Sequence, residues 1–247
     1  MIICFHGFGE THESFAVLEE ALGGRYTIVA IDLPFHGKTE WNEGLLIKPE
    51  ELLNILDIAM EKAGFMKQSF SLIGYSLGGR IVMHLLQLIP EKIKRVVLLA
   101  PDGLRLNFWY WLATQITLGN KLFYATMRNP YWFLKMIHLA YKIGLLNKSI
   151  IKFVEYYLND KSVRLMLYKR WTTMRKFKPD LNLVRKNIHD YKIQTRFVFG
   201  SYDRIILRKR SNNFAKDTAH VRVIELQTGH QLLKAKHARE IALLFSE

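Results

Sequence analysis

The stretch SFSLIGYSLGGRIVMHLL, Ser69 to Leu86, opens on an apolar run and then packs three glycines, Gly74, Gly78 and Gly79, around one serine, Ser76. Phe70–Ile73 has the apolar continuity of a buried strand, and Leu77–Ile89 reads as a helix that stops at Pro90. Glycine weakens both kinds of element, so a cluster of it at their junction needs a reason. The spacing Gly74-x-Ser76-x-Gly78 supplies one. It suits a strand that turns sharply into a helix, with the serine held in a strained backbone conformation and the neighbouring backbone given room. Gly79 lets the new helix approach the sheet. Ser76 would then stand above the carboxyl edge of the sheet, where ligands bind in open α/β folds, beside a helix N-terminus with its N–H groups and positive dipole end.

The rest of the chain fits around that turn. Ile2–Phe5, Tyr26–Ile31, Arg95–Leu99, Thr195–Phe199 and Val221–Leu226 are further short apolar runs. Continuous runs, rather than alternating ones, suit parallel strands covered on both faces. Helical patterns over Ser14–Leu22, Pro49–Ala63 and His237–Phe245 lie among them. The expected fold is α/β: a mostly parallel, doubly wound sheet of six strands joined by right-handed crossovers.

The middle of the chain breaks this alternation. From Gly103 to Asp190 there are 16 Lys/Arg against 4 Asp/Glu, 16 of the 31 aromatic residues and four of the five tryptophans. Helical stretches are read over Phe108–Leu118, Pro130–Ile143, Ser149–Leu158 and Ser162–Phe177. The expected organisation is therefore a core of residues 1–102 and 191–247 with a basic, aromatic helical cap, residues 103–190, inserted after the fourth strand.

Composition narrows the classes further. The chain has 247 residues, 49% of them hydrophobic, and a formal charge of +14. A single cysteine, Cys4, excludes an internal disulfide and fits a reducing compartment. No stretch resembles a signal peptide or a membrane span, so a cytoplasmic location is expected. The nine histidines show no metal-binding spacing, and no metal or other cofactor is expected.

The elbow around Ser76 resembles that of the α/β-hydrolase fold family. His6-Gly7-Phe8-Gly9 is similar to that family's H-G-x-x turn after the first strand, and Asp32-Leu33-Pro34-Phe35-His36-Gly37 to its D-x-P-x-H-G turn after the second. The resemblance implies that Ser76 is the nucleophile and that the backbone N–H groups of Phe8 and Leu77 form an oxyanion hole. His6 and His36 precede glycines in turns and are read as structural. A serine in this place argues against haloalkane dehalogenase or epoxide hydrolase chemistry, where the family uses aspartate. It leaves esterase, thioesterase, lipase and related activities.

In the family's order of serine, acid and histidine, the base is His230, in Thr228-Gly229-His230 directly after the last strand, with Gly229 allowing the tight turn. The acid is Asp203, in Gly200-Ser201-Tyr202-Asp203 after the fifth strand; Asp102, after the fourth, is the alternative. Arg80 and Tyr75 are candidate substrate contacts. Arg80 completes a run, Gly-Tyr-Ser-Leu-Gly-Gly-Arg, that resembles the menaquinone-pathway synthase that eliminates pyruvate, which makes a lyase one alternative. A non-catalytic binding protein on the same fold is another.

The expected partner is a small ester or thioester, anionic if the basic cap steers it. The cap also suits peripheral association with an anionic membrane: Lys135, His138 and Lys142 share a helical face, with Trp132, Phe133, Met136 and Leu139 elsewhere on that helix. No nucleic-acid motif accompanies the basic, aromatic composition, so nucleic acid is not an expected partner. The family usually opens with two further strands, whereas Met1 lies five residues before His6. An exposed sheet edge, and association through it, is expected on that ground.

Overall fold

The computed structural model describes residues 1–65, 68–216 and 218–245. In chain order its elements are β1 (Ile2–Phe5), α1 (Val17–Leu22), β2 (Ile28–Ile31), α2 (Pro49–Lys62), β3 (Phe70–Tyr75), α3 (Leu77–Leu88), β4 (Ile93–Leu99), α4 (Phe108–Gln115), α5 (Thr117–Arg128), α6 (Tyr131–Lys142), α7 (Lys148–Leu158), α8 (Lys161–Thr173), α9 (Leu181–Asp190), β5 (Gln194–Gly200), α10 (Lys209–Ala215), β6 (Val221–Leu226) and α11 (Ala235–Leu243). The six strands form one sheet in the order β2-β1-β3-β4-β5-β6, every pair parallel. β1 is internal, and β2 and β6 are the edges.

The central strands owe their apolar continuity to burial on both faces. Every residue of β1 and β3 is buried, as are the last four of β4 and the last six of β5. Edge strand β2 is only half-buried throughout. α3 is buried from Leu77 to Leu86, polar residues included, because it lies against the middle of the sheet. The Cys4 thiol sits inside β1, where burial pushes its pKa up.

The chain divides into two compact units. The larger comprises residues 1–40, 48–105 and 177–247, and the smaller residues 41–47 and 106–176. The helix α9, which the sequence groups with the 103–190 insertion, belongs to the larger unit. Its buried Val184 and Ile188 form one face, and Asn187 Nδ2 donates to the Leu86 carbonyl of α3 at 2.8 Å. Its first turn is capped by Asp180, whose own N–H donates to Gln87 Oε1 at 3.0 Å.

The smaller unit is all helical apart from its short first segment. Tyr110, Phe123, Tyr168 and Trp171 interlock on its inside at ring separations of 5.1–5.5 Å. Arg164 ties two helix ends together, donating to the carbonyls of Met127 and Leu158. The segment 41–47 is held by Arg175 Nη1 donating to Leu45 O and by Ile47 N donating to Thr173 O. α5 is a helix that periodicity does not announce, because Leu118 and Leu122 point outward and Gly119 interrupts it. The glycine has a packing reason: a Cβ there would overlap the Leu112 carbonyl of α4.

Candidate active site

β3 ends at Tyr75 and α3 begins at Leu77, so Ser76 alone makes the turn, at φ 46° and ψ −110°. That is a strained conformation for a residue with a side chain. It is held by its surroundings: Ser76 N donates to Leu99 O at 2.9 Å, and the Ser76 carbonyl accepts from Gly79 and Asp102 N–H, each at 2.9 Å. The flanking glycines are needed for close approach. A Cβ on Gly78 would overlap the Phe5 carbonyl of β1; one on Gly74 would come 2.6 Å from Gly78 O, and one on Gly79 2.5 Å from Pro101 Cβ. Gly78 N also donates to His6 O at 3.1 Å. This bond pins the start of α3, with Leu77 as its first residue, to the β1 turn that carries Phe8.

His230 lies in the loop after β6. Its Nε2 is 3.2 Å from Ser76 Oγ, and its Nδ1 is 2.8 Å from Asp203 Oδ2. With the proton on Nδ1, the ring donates to the carboxylate and presents Nε2 as an acceptor to the hydroxyl. The other Asp203 oxygen accepts from the N–H groups of Ile205 (2.7 Å) and Ile206 (3.0 Å). Burial alone would raise the Asp203 pKa; the bonds from His230, Ile206 and Ile205 outweigh it and hold the carboxyl below its usual range. Asp203 is therefore an anion beside the imidazole.

The loops bearing acid and base are joined. Tyr202 N donates to Thr228 O at 2.9 Å, and Ser201 N to Leu226 O at 2.9 Å. Gly200 is what permits this approach, since a Cβ there would overlap the carbonyls of Thr228 and Gly229. Gly229 itself, expected to allow the tight turn, has neither a positive φ nor any atom within 4 Å of an added Cβ.

Tyr75 and Arg80 stand elsewhere than expected of substrate contacts. Tyr75 is 1% exposed, its hydroxyl donates to the His230 carbonyl at 3.2 Å, and its ring lies 5.6 Å from the imidazole. It supports the histidine loop from beneath. Arg80 is 3% exposed and paired with Asp102 at 2.7 Å. The same Asp102 caps Gly103 N at 2.7 Å through its other oxygen, so its carboxylate is engaged with Arg80 and the backbone. His6 and His36 bind backbone: His6 Nδ1 meets Gly7 O at 2.8 Å while its Nε2 accepts from Leu33 N–H at 3.0 Å, and His36 Nδ1 meets Pro34 O at 2.9 Å.

One site contact has no sequence signature. Gln231 Nε2 donates to Glu10 Oε1 at 2.9 Å, strapping the histidine loop to the turn after β1. Only the position of each residue next to a recognised motif, Glu10 after His6–Gly9 and Gln231 after His230, points to it. Among the described residues no group of three or more His, Cys, Asp or Glu is placed to hold a metal ion.

A parallel sheet with a serine on a strained strand-to-helix turn, and an imidazole and carboxylate delivered to it by the last two strands, defines an open α/β protein with a sharp serine-bearing elbow. A family model described as the alpha/beta hydrolase fold matches residues 1–235, and the chain belongs to that family. Among curated relatives, the hydrolase YugF of Bacillus subtilis (strain 168) is 31% identical over 102 residues, 41% of this chain and 37% of its own length. The pimeloyl-[acyl-carrier protein] methyl ester esterase of Pseudoalteromonas atlantica is 27% identical over 109 residues, 43% of this chain and 40% of its own length. The chain spans about two fifths of the length of these relatives. A thermophilic esterase from Thermogutta terrifontis shares the fold, with a TM-score of 0.68 at 14% identity over 99% of this chain and 88% of that one.

Proposed function

We propose that the chain is a serine hydrolase that cleaves a carboxylic ester or thioester through an acyl-enzyme. The observation that carries this reading is the continuous run Asp203–His230–Ser76, with contacts of 2.8 and 3.2 Å. Ser76 Oγ attacks the substrate carbonyl while His230 Nε2 takes its proton. Asp203, held anionic, fixes the imidazole's tautomer and stabilises the imidazolium. The carbonyl oxygen becomes an oxyanion that the N–H groups of Leu77 and Phe8 stabilise. As the intermediate collapses, the bond to the alcohol or thiol breaks, and that group leaves with the proton from His230. Water, deprotonated by the same imidazole, then attacks the acyl-serine and releases the carboxylic acid and Ser76.

The names of the relatives support ester cleavage as the class. The lyase alternative depended on Arg80 as a substrate contact, and the burial of that guanidinium against Asp102 favours hydrolysis. A fluorophosphonate probe tests the reading directly, beside a panel of p-nitrophenyl esters of rising chain length and acyl-CoA thioesters. Wild-type protein should label and turn over members of the panel, and Ser76→Ala should do neither. Labelling of Ser76→Ala as strong as wild type would overturn the assignment.

A further inference from the structure

α6 is a twelve-residue helix rich in apolar side chains, Tyr-Trp-Phe-Leu-Lys-Met-Ile-His-Leu-Ala-Tyr-Lys, none of which is buried. Phe133, Leu134, Ile137 and Ala140 lean inward and are half-covered. The outward side carries Tyr131, Trp132, Met136 and Leu139 together with Lys135 and Lys142, all exposed. The turn after the helix adds Ile143 and Leu145, 63% and 73% exposed. A solvated helix face normally carries charges of both signs in place of such groups.

Charge identifies what this face meets. From Gly103 to Val154 the sequence contains seven Lys/Arg and no Asp or Glu. The first acid beyond, Glu155, is turned toward His138 of α6 at 3.2 Å. A second copy of the chain would bring the same cations against one another. A polyanion such as nucleic acid would use the lysines and leave exposed Met136, Leu139, Ile143 and Leu145 without a role. We propose that the outer face of α6 and the turn after it dock on a membrane surface containing anionic lipid. The apolar groups enter the boundary between headgroups and acyl chains, Tyr131 and Trp132 sit at headgroup level, and Lys135 and Lys142 extend to lipid phosphates. Among the described residues no helix is long and apolar enough to cross a membrane, so α6 lies on the surface.

Co-sedimentation with sucrose-loaded vesicles tests this on the whole chain. Affinity for phosphatidylcholine vesicles containing about one third phosphatidylglycerol should exceed that for phosphatidylcholine alone by about tenfold or more, and should fall as salt rises. The Lys135→Glu/Lys142→Glu variant should lose about tenfold or more in affinity, and Trp132→Ser/Leu139→Ser should also weaken binding. Exposed Lys62→Glu, on α2, should leave it unchanged. Circular dichroism melts check that each variant is folded, which surface positions favour. Absence of binding to either vesicle, equal binding to both, or an equal loss in Lys62→Glu would overturn the proposal. So would a dimer in sedimentation velocity that Leu139→Ser dissolves while vesicle binding is absent.

Discussion

Ser76, Asp203 and His230 come from three strand ends, Ser76 lying far before the other two in the sequence, and the serine was legible for a different reason from the acid and the base. Ser76 announced itself by the glycines that its turn requires. His230 and Asp203 were located by the order of serine, acid and histidine that the family resemblance implies, which places them at neighbouring carboxyl ends. Between Asp203 and Asp102 the sequence left a choice, because both follow a strand directly; what separates them is the direction of the side chains. Asp203 faces His230, whereas Asp102 faces Arg80. The same hidden variable explains why Arg80 and Tyr75 look available in the sequence and are buried in the fold. Two substitutions should therefore fail in different ways. Asp203→Asn should lower kcat by about 10⁴-fold, as loss of the orienting carboxylate does in other triads. Asp102→Asn should leave kcat within a few-fold of wild type but cost about 1–3 kcal/mol of stability, because it removes a charge-assisted bond from a buried guanidinium. Ester turnover and thermal melts on both variants check this, and a larger kcat loss in Asp102→Asn would move the acid to β4.

Elements are where glycines show their purpose, and where spacing alone misleads. All six strands were readable as short apolar runs, which burial on both faces makes continuous in the central four; of the helices beside the sheet α1, α2, α3 and α11 were readable, and the short polar α10 was not. α5 was not, since its outward leucines and internal glycine erase the 3.6-residue pattern, and α9 was grouped with the wrong unit because its charged outer face resembles the basic insertion. At the histidine loop the sequence pointed to Gly229, next to the base, but close approach occurs at Gly200 on β5. Gly200→Ala should push the β6 loop away from β5. The expected cost is about 1–3 kcal/mol, a fall in Tm of roughly 3–10 °C, with a marked loss of kcat as His230 is displaced from Ser76. Gly229→Ala meets open space at an ordinary φ and should melt at or slightly above the wild-type temperature with activity retained. Equal damage from both would show that the loop's conformation, rather than its contact with β5, demands glycine.

Across the whole molecule a charge of +14 opposes compactness, and acid should add to it through groups that the fold keeps from protonating. His84 is one. It is buried on α3 with its ring edge-on to Phe177 at 5.3 Å, and its Nδ1 accepts from Gln87 Nε2 at 3.3 Å. Burial lowers its pKa to about 4, with Arg80 adding to the fall and Glu50 opposing it. An unfolded histidine titrates near 6.5. Between those values the unfolded chain binds a proton that the folded chain excludes, so stability falls as pH drops through this window and is full above it. The contribution is on the order of 3 kcal/mol, equivalent to roughly 6–12 °C in Tm for a chain of this size. Asp203 and Asp32, both held below the ordinary carboxylate range, act in the same direction at lower pH: the stability they provide is present above that range and is lost as pH falls through it. For Asp32, burial works against the shift and the bonds from His12 N–H and Nδ1 overcome it. Thermal melts from pH 7.5 down to pH 4.5 should therefore show a steep loss in the wild type. His84→Gln, which cannot take up a proton, should start from a lower Tm at neutral pH, having lost the contact with Phe177, and decline with a visibly shallower slope. Parallel slopes for the two proteins would mean that His84 is not held neutral in the fold and that the carboxylates and net charge account for all of the acid sensitivity.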